Sequence, residues 1–238
     1  MDTTFDLYEH AAGAIRRLYD SRIEAPAILP MDRLFPEGQR FAEAWRDLRD
    51  EALAVAQGLA RVPRFHEIMP EQAEISSNDG RDWRLLLLKA YGVEFPENMR
   101  LCPTLAGLLR ATPEVLSASV SFLAPRKVIP EHRGPVRGVL RFYLPLVMPR
   151  DALGRPAAVL SVDGQDLRLE EGQALLWDDT FRHGVRNESD AVRIVLLMDV
   201  WRRGMPLDMQ ALSKLVVWTV RAGIRARRVV ERARRREA

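Results

Sequence analysis

Val139-Leu140-Arg141-Phe142-Tyr143-Leu144-Pro145-Leu146-Val147-Met148 is an apolar run broken by one arginine, and Val192-Arg193-Ile194-Val195-Leu196-Leu197 repeats the pattern later in the chain. Runs of this length, rich in β-branched and aromatic residues and bounded by turn signals, predict strands rather than helices. Working outward, the same texture begins after Pro113 and predicts strands over 116–123, 139–148, 157–162, 167–169, 174–177, 184–186 and 192–201. Asp163-Gly164 separates two of them. A tight hairpin turn needs positive φ there, which glycine adopts at no steric cost. Short, evenly spaced strands of this kind form a double-sheet roll or barrel, so the fold class is mainly β with flanking helices.

The flanks are helical. Leu7, Ala11, Ile15 and Leu18 recur at helical spacing and predict a helix over 5–19. Pro26, Pro30 and Pro36 then punctuate a loop, and Phe41, Ala44, Trp45, Leu48, Ala52, Val55 and Leu59 predict one long helix. Residues 1–63 therefore read as helical cladding and 64–203 as the β domain. The latter opens on a mixed stretch containing Trp83-Arg84-Leu85-Leu86-Leu87-Leu88 and a short helix at 105–110 that ends before Pro113. Residues 204–238 read as a basic amphipathic C-terminal helix.

Composition narrows the class of protein. With 47% hydrophobic and 29% charged residues, the chain is neither collagen-like nor low-complexity. Cys102 is the only cysteine, which excludes an intramolecular disulfide and cysteine-rich zinc modules and suits a reducing compartment. Asp2 and Asp6 stand where a secretory signal needs positive charge, and no apolar run approaches the roughly 20 residues of a spanning helix. The expectation is a cytoplasmic protein, in peripheral contact with the inner membrane face. The net charge of +3 divides unevenly, because residues 221–238 hold eight arginines against Glu231 and Glu237.

Chemistry is first indicated by two of the four histidines. His132 and His183 lie at either end of the middle strands, where a roll brings strand termini to one mouth and two imidazoles can share a divalent metal. Spacing alone fits surface or hydrogen-bonded loop histidines better, because isolated pairs are common. Arg141 and Arg193 add weight, since a guanidinium inside an apolar strand costs several kcal/mol unless an anion pairs with it. Together they describe a pocket for a small dianion beside a metal. Period two also allows both arginines on a solvated sheet face.

Several strings in register resemble the aspartyl/asparaginyl β-hydroxylase family. They are Cys102-Pro103-Thr104, Ser121, Pro130-Glu131-His132-Arg133-Gly134-Pro135, Leu140-Arg141, Glu171-Gly172, Trp177-Asp178-Asp179-Thr180-Phe181-Arg182-His183, Arg193 and Asp199-Val200-Trp201-Arg202. The resemblance covers about residues 64–203 and implies a double-stranded β-helix, a jelly-roll or cupin-like core, carrying iron(II) and using 2-oxoglutarate and O₂. It implies that His132 and His183 bind the iron, that Arg193 pairs with the distal carboxylate of 2-oxoglutarate, and that Ser121 and Arg141 make further co-substrate contacts. Tyr143 stands on the strand of Arg141 where members of the family usually carry histidine, and it joins the candidate co-substrate contacts. Gly134 stands where the usual facial triad has a carboxylate, a gap the family shares, so the resemblance implies an iron that holds an extra water or borrows charge from Asp178 or Asp179, or else has these acids as outer partners that orient His183.

The family acts on Asp/Asn side chains, in proteins or amino-acid metabolites, or on acyl chains of lipid A or ornithine lipids. Phe65-His66-Glu67-Ile68 with Pro70, Gln72 and Ile75-Ser76 resembles the lead-in of the lipid branch. Arg221, Arg225, Arg228, Arg232 and Arg235 step by four and three beside a weaker apolar row of Leu212, Leu215, Val216, Thr219, Ala222, Ala226 and Val229. That pattern over 212–236 fits an anionic membrane surface. Nucleic acid fits it less well, because no aromatic residues interleave the arginines. A non-catalytic cupin-like metal- or ligand-binding protein is the alternative of another class.

Overall fold

The computed structural model describes residues 13–237, with side chains to residue 226. Its strands are β1 (Ile28–Leu29), β2 (Trp83–Ala90), β3 (Val93–Glu94), β4 (Val115–Leu123), β5 (Val128–His132), β6 (Val139–Val147), β7 (Ala158–Val162), β8 (Gln165–Leu167), β9 (Leu175–Trp177), β10 (His183–Asn187) and β11 (Arg193–Trp201). A large sheet runs β1-β9-β6-β11-β4-β2-β3 and a small one β5-β10-β7-β8. Neighbouring strands are antiparallel throughout. The fold is thus the expected jelly-roll, mainly β with helices outside.

Period two divides the large sheet into two working faces. Ile194, Leu196, Met198 and Val200 of β11 share one core with Leu140, Phe142, Leu144 and Leu146 of β6, covered by helices that supply Phe41, Leu48 and Ala52. The alternate residues Val195 and Tyr143 turn inward and pack with Trp177 against Leu160 and Val162 of the small sheet. The inner cleft is therefore lined by odd-numbered residues of β4, β6 and β11.

Expectation and structure differ in instructive places. The long helix of the cladding is two, Gly38–Glu43 and Trp45–Ala56, because Ala44 between them leaves the helical region at φ −83°, ψ 7°. That cladding also contributes β1, which pairs with β9 at the edge of the large sheet. Residues 13–20 are helical, while the start of the helix expected at 5–19 lies outside the described residues. Asp163 and Gly164 turn β7 into β8 with φ of 49° and 76°, as the hairpin signal requires. Among the described residues, no helix is long and apolar enough to cross a membrane.

The C-terminal helix Leu207–Glu237 closes one end of the roll. Met209, Ser213 and Val217 face inward, and the Ser213 and Tyr19 hydroxyls lie 2.6 Å apart. A side chain at residue 138 would collide with Ser213, so Gly138 is what lets the helix approach the start of β6.

Candidate active site

The small sheet places the two histidines opposite each other. His132 ends β5, His183 begins β10, and the register pairs them directly. Their ring centroids are 4.1 Å apart. Each Nδ1 meets a carbonyl oxygen two residues back, His132 at Pro130 (2.8 Å) and His183 at Phe181 (2.9 Å). A carbonyl only accepts, so both Nδ1 atoms carry a proton, which leaves Nε2 of each ring as the atom that can offer a lone pair to a metal. Burial, together with the neighbouring His132, lowers the pKa of His183 to about 3, so that ring is neutral at pH 7. The edge of Trp177 closes the other side of His183, with ring centroids 4.6 Å apart.

Gly134 lies two residues past His132, where a side chain would run into the carboxylate of Asp179. Asp179 therefore fills the space that a side chain at 134 would occupy, and Gly134 N–H donates to the Asp179 carbonyl at 2.7 Å. Burial and the nearby carboxylates of Asp199 and Asp178 push the Asp179 carboxyl up to about 6, against the pull of Arg141. Arg141 donates to Asp179 at 2.9 Å and lies 2.9 Å from Asp199 through Nε, whose N–H is not aimed at that oxygen. The charge of Arg141 is thus met by two acids of the protein itself.

Asp178 points the other way. Fully buried, it accepts from Arg137 (2.9 Å), Arg202 (2.7 Å) and both the N–H and hydroxyl of Thr180. Arg137 continues to Asp20 at 2.6 Å and to the Ile23 carbonyl. This network ties the loop before His183 to the N-terminal segment and to the end of β11, fixing where Asp179 sits. Of the two acids expected around the metal, Asp179 faces Gly134 while Asp178 is a structural hub. Arg137 escaped sequence reasoning because it lies in a loop with no periodicity. Arg202 stood within a family-like string but was assigned no role.

Arg193, Ser121 and Tyr143 gather on the floor of the cleft, from β11, β4 and β6. The Arg193 side chain is 1% exposed, yet no acidic group pairs with it among the described residues and its Nε has no hydrogen-bond partner. Its partners are neutral: the Ser121 hydroxyl lies 3.5 Å from a terminal nitrogen, and Tyr143, whose ring lies 5.5 Å from its Cζ, also hydrogen-bonds it through the phenol. Trp83 donates to the same hydroxyl at 3.0 Å and stacks on Phe65 with centroids 3.9 Å apart. Trp83 and Phe65 were not foreseen as part of this wall. Trp177 joins the two groups, since it touches His183 and shares the inner core with Tyr143 and Val195. No set of three His, Cys, Asp or Glu side chains among the described residues is placed to hold a metal ion.

Comparison with known proteins bears on the same residues. The family described as aspartyl/asparaginyl β-hydroxylase matches residues 42–203. Ornithine lipid ester-linked acyl 2-hydroxylase of Rhizobium tropici is 32% identical over 165 residues, 69% of this chain and 57% of that protein. Human aspartate β-hydroxylase domain-containing protein 2 is 31% identical over 56% of this chain and 37% of its own length. Human aspartyl/asparaginyl β-hydroxylase is 28% identical over 66% of this chain and 20% of its own. The chain therefore spans little more than half of the first relative and less of the others. Among solved structures, a cupin domain of a transcriptional regulator from Enterobacter cloacae aligns over 39% of this chain and 87% of that one, at 17% identity and a TM-score of 0.31. The matched residues include His132, His183, Asp178, Asp179, Arg141, Arg193, Ser121 and Tyr143, and the chain belongs to the aspartyl/asparaginyl β-hydroxylase family.

Proposed function

We propose that this protein is an iron(II)- and 2-oxoglutarate-dependent dioxygenase that hydroxylates an unactivated carbon of a lipid acyl chain, of the ornithine lipid or lipid A type. The observation that carries the reading is Arg193, a buried guanidinium with no carboxylate to neutralise it among the described residues. Such a group is costly to bury unless an anion arrives, and its fork suits a carboxylate. A dianionic keto-acid supplies that anion at one end and metal-chelating oxygens at the other.

The donor set fits the metal. His132 and His183 would hold iron(II) through Nε2, because both Nδ1 atoms are already committed to the backbone. Bound there with 2-oxoglutarate and O₂, iron supplies the oxidising power that inserts one oxygen atom into a C–H bond. The protein's own tasks are positional. Arg193, with Ser121 and Tyr143 beside it, would seat the distal carboxylate of the co-substrate. Asp179 fills the space beside Gly134 and, paired with Arg141, keeps a carboxylate next to the metal site without a third protein ligand. Trp177 and the inner apolar core shield the site from water.

The acyl-chain substrate rests on the similarity to the ornithine lipid hydroxylase, which covers more of this chain than the other relatives described. The similarity to aspartyl/asparaginyl β-hydroxylase supports a second reading, β-hydroxylation of Asp or Asn in a peptide, protein or metabolite. A cytoplasmic site of action, at the inner face of the membrane, goes with the lipid reading and with the single buried thiol of Cys102. The deciding experiment incubates the iron-loaded protein with 2-oxoglutarate and separate pools of lipids and Asp-containing peptides. O₂-dependent succinate formation is expected, with one added oxygen atom found by mass spectrometry in the lipid pool. Oxygen appearing in the peptide pool alone would replace the substrate, and no succinate in either pool would remove the dioxygenase reading.

A further inference from the structure

We infer that the solvent-facing side of the C-terminal helix is a docking surface for an anionic lipid bilayer, anchored by Leu215 and Trp218. This helix has two apolar faces. Met209, Ser213 and Val217 are buried against the roll, and Leu212 leans on Tyr19, Met205 and Met209. Leu212 and Val216, part of the apolar row read from the sequence, are thereby half covered by the protein itself. The exposed row is a different one. Leu207, Ala211, Leu215, Trp218 and Ala222 step by four, four, three and four, so they share one stripe about 80° wide. Leu207 is 82% exposed, Leu215 58% and Trp218 65%. A single exposed leucine needs no explanation, but an aligned stripe with a tryptophan at its centre marks an interaction surface.

Charge selects the occupant. Lys214 and Arg225 are exposed beside the stripe. Asp208, the single acid between Leu207 and Ala226, is engaged by Arg22 at 2.7 Å. Continuing the chain, residues 221–238 contain eight arginines and two glutamates. Two copies of such a helix would repel each other, whereas an anionic leaflet attracts each lysine or arginine near its surface, about a fivefold gain in partitioning apiece. Tryptophan is also the residue best suited to the boundary between headgroups and acyl chains.

Placement gives the surface a purpose. Val217 forms one buried cluster with Leu116 and with Val139, which lies two residues before Arg141 on β6. Arg221 reaches back to the Tyr91 carbonyl at 2.6 Å, on the turn between β2 and β3. The helix is therefore fixed to the end of the roll that carries Arg141, Asp199 and Asp179, and a docked bilayer lies at that end of the cleft. This deepens the acyl-chain reading but rests on separate observations.

The test uses the full chain and vesicles of phosphatidylcholine with or without phosphatidylglycerol, with neither metal nor 2-oxoglutarate present. The wild type is expected to sediment with the phosphatidylglycerol vesicles, to be released by salt, and to stay in solution with phosphatidylcholine alone. The double variant Leu215→Ser/Trp218→Ser should bind about tenfold more weakly. A second variant, Lys214→Gln/Arg225→Gln, should lose affinity and salt dependence together. All four positions are exposed, so both variants should keep the wild-type melting temperature, which is measured alongside. Equal sedimentation by the Leu215/Trp218 variant, or no wild-type binding to phosphatidylglycerol, overturns the inference. A wild-type dimer that the same variant converts to monomer assigns the face to a second copy of the chain, and also overturns it. Because the assay contains no catalytic component, its failure leaves the dioxygenase proposal standing, and failure of turnover leaves the docking surface standing.

Discussion

Replacing Arg193 with methionine should make the unliganded protein more stable while abolishing its response to 2-oxoglutarate. Methionine approximates the length of the arginine stem without its charge, and the side chain it replaces is 1% exposed with no acidic partner among the described residues. Exchanging a buried charge group for a well-packed apolar one stabilises by about 1–4 kcal/mol. Against that stands the lost contact with Tyr143, whose ring lies 5.5 Å from the guanidinium carbon and whose phenol hydrogen-bonds it, together contributing roughly 0.5–2 kcal/mol. The Ser121 hydroxyl at 3.5 Å is too distant to add much. A net gain of about 1 kcal/mol corresponds to a rise of about 2–4 °C in Tm for a domain of this size. The wild type should behave in the opposite sense when ligand is added: at a hundredfold excess over its dissociation constant, 2-oxoglutarate should stabilise it by about 2.7 kcal/mol. Differential scanning calorimetry of both proteins, anaerobic with iron(II) and with or without 2-oxoglutarate, reads all four states. A variant that melts below the wild type without co-substrate, or one that 2-oxoglutarate stabilises as much as the wild type, would refute the assignment of Arg193 as an unpaired anion receptor.

Other positions give equally direct outcomes. Gly134→Ala forces the partly buried Asp179 carboxylate to move and should cost about 1–3 kcal/mol in thermal unfolding, a loss that the double variant with Asp179→Ala should largely restore. Asp178→Asn leaves Arg137 and Arg202 without their shared carboxylate and should destabilise by about 3–5 kcal/mol, read as a fall in denaturant midpoint with unchanged slope. Burial first, and Glu51 second, raise the thiol of Cys102 to about 12, so a thiol reagent at pH 8 should label it only on unfolding; rapid labelling of the native protein would contradict its placement.

The parts of the fold legible in the sequence were those with a regular period. β6, β7, β9 and β11 were visible because apolar runs end in turn signals, and the Asp163-Gly164 hairpin because its turn demands positive φ. β5 was missed although it carries His132. It contains Pro130 and lies at the edge of the small sheet, paired only with β10, where proline is tolerated and alternation is weak. β2 was noticed only as an apolar stretch, since a strand covered on both faces shows no alternation to separate it from a buried helix segment. At the site, strand patterning placed Arg141 and Arg193 in comparable settings, and nothing in the spacing told them apart. Their difference is tertiary: Asp179 and Asp199 converge on Arg141, and no acid among the described residues reaches Arg193. The division of labour between Asp178 and Asp179 was hidden for the same reason, as adjacent residues in one loop point to opposite sides.

The proposed function requires His132 and His183 to hold iron(II) together, with 2-oxoglutarate bound beside it. Anaerobic addition of iron(II) and then 2-oxoglutarate to the protein, followed by visible absorption, tests it without requiring any substrate. A metal-to-co-substrate charge-transfer band is predicted for the wild type, absent in His132→Ala and in His183→Ala; an undiminished band in either variant would contradict the account.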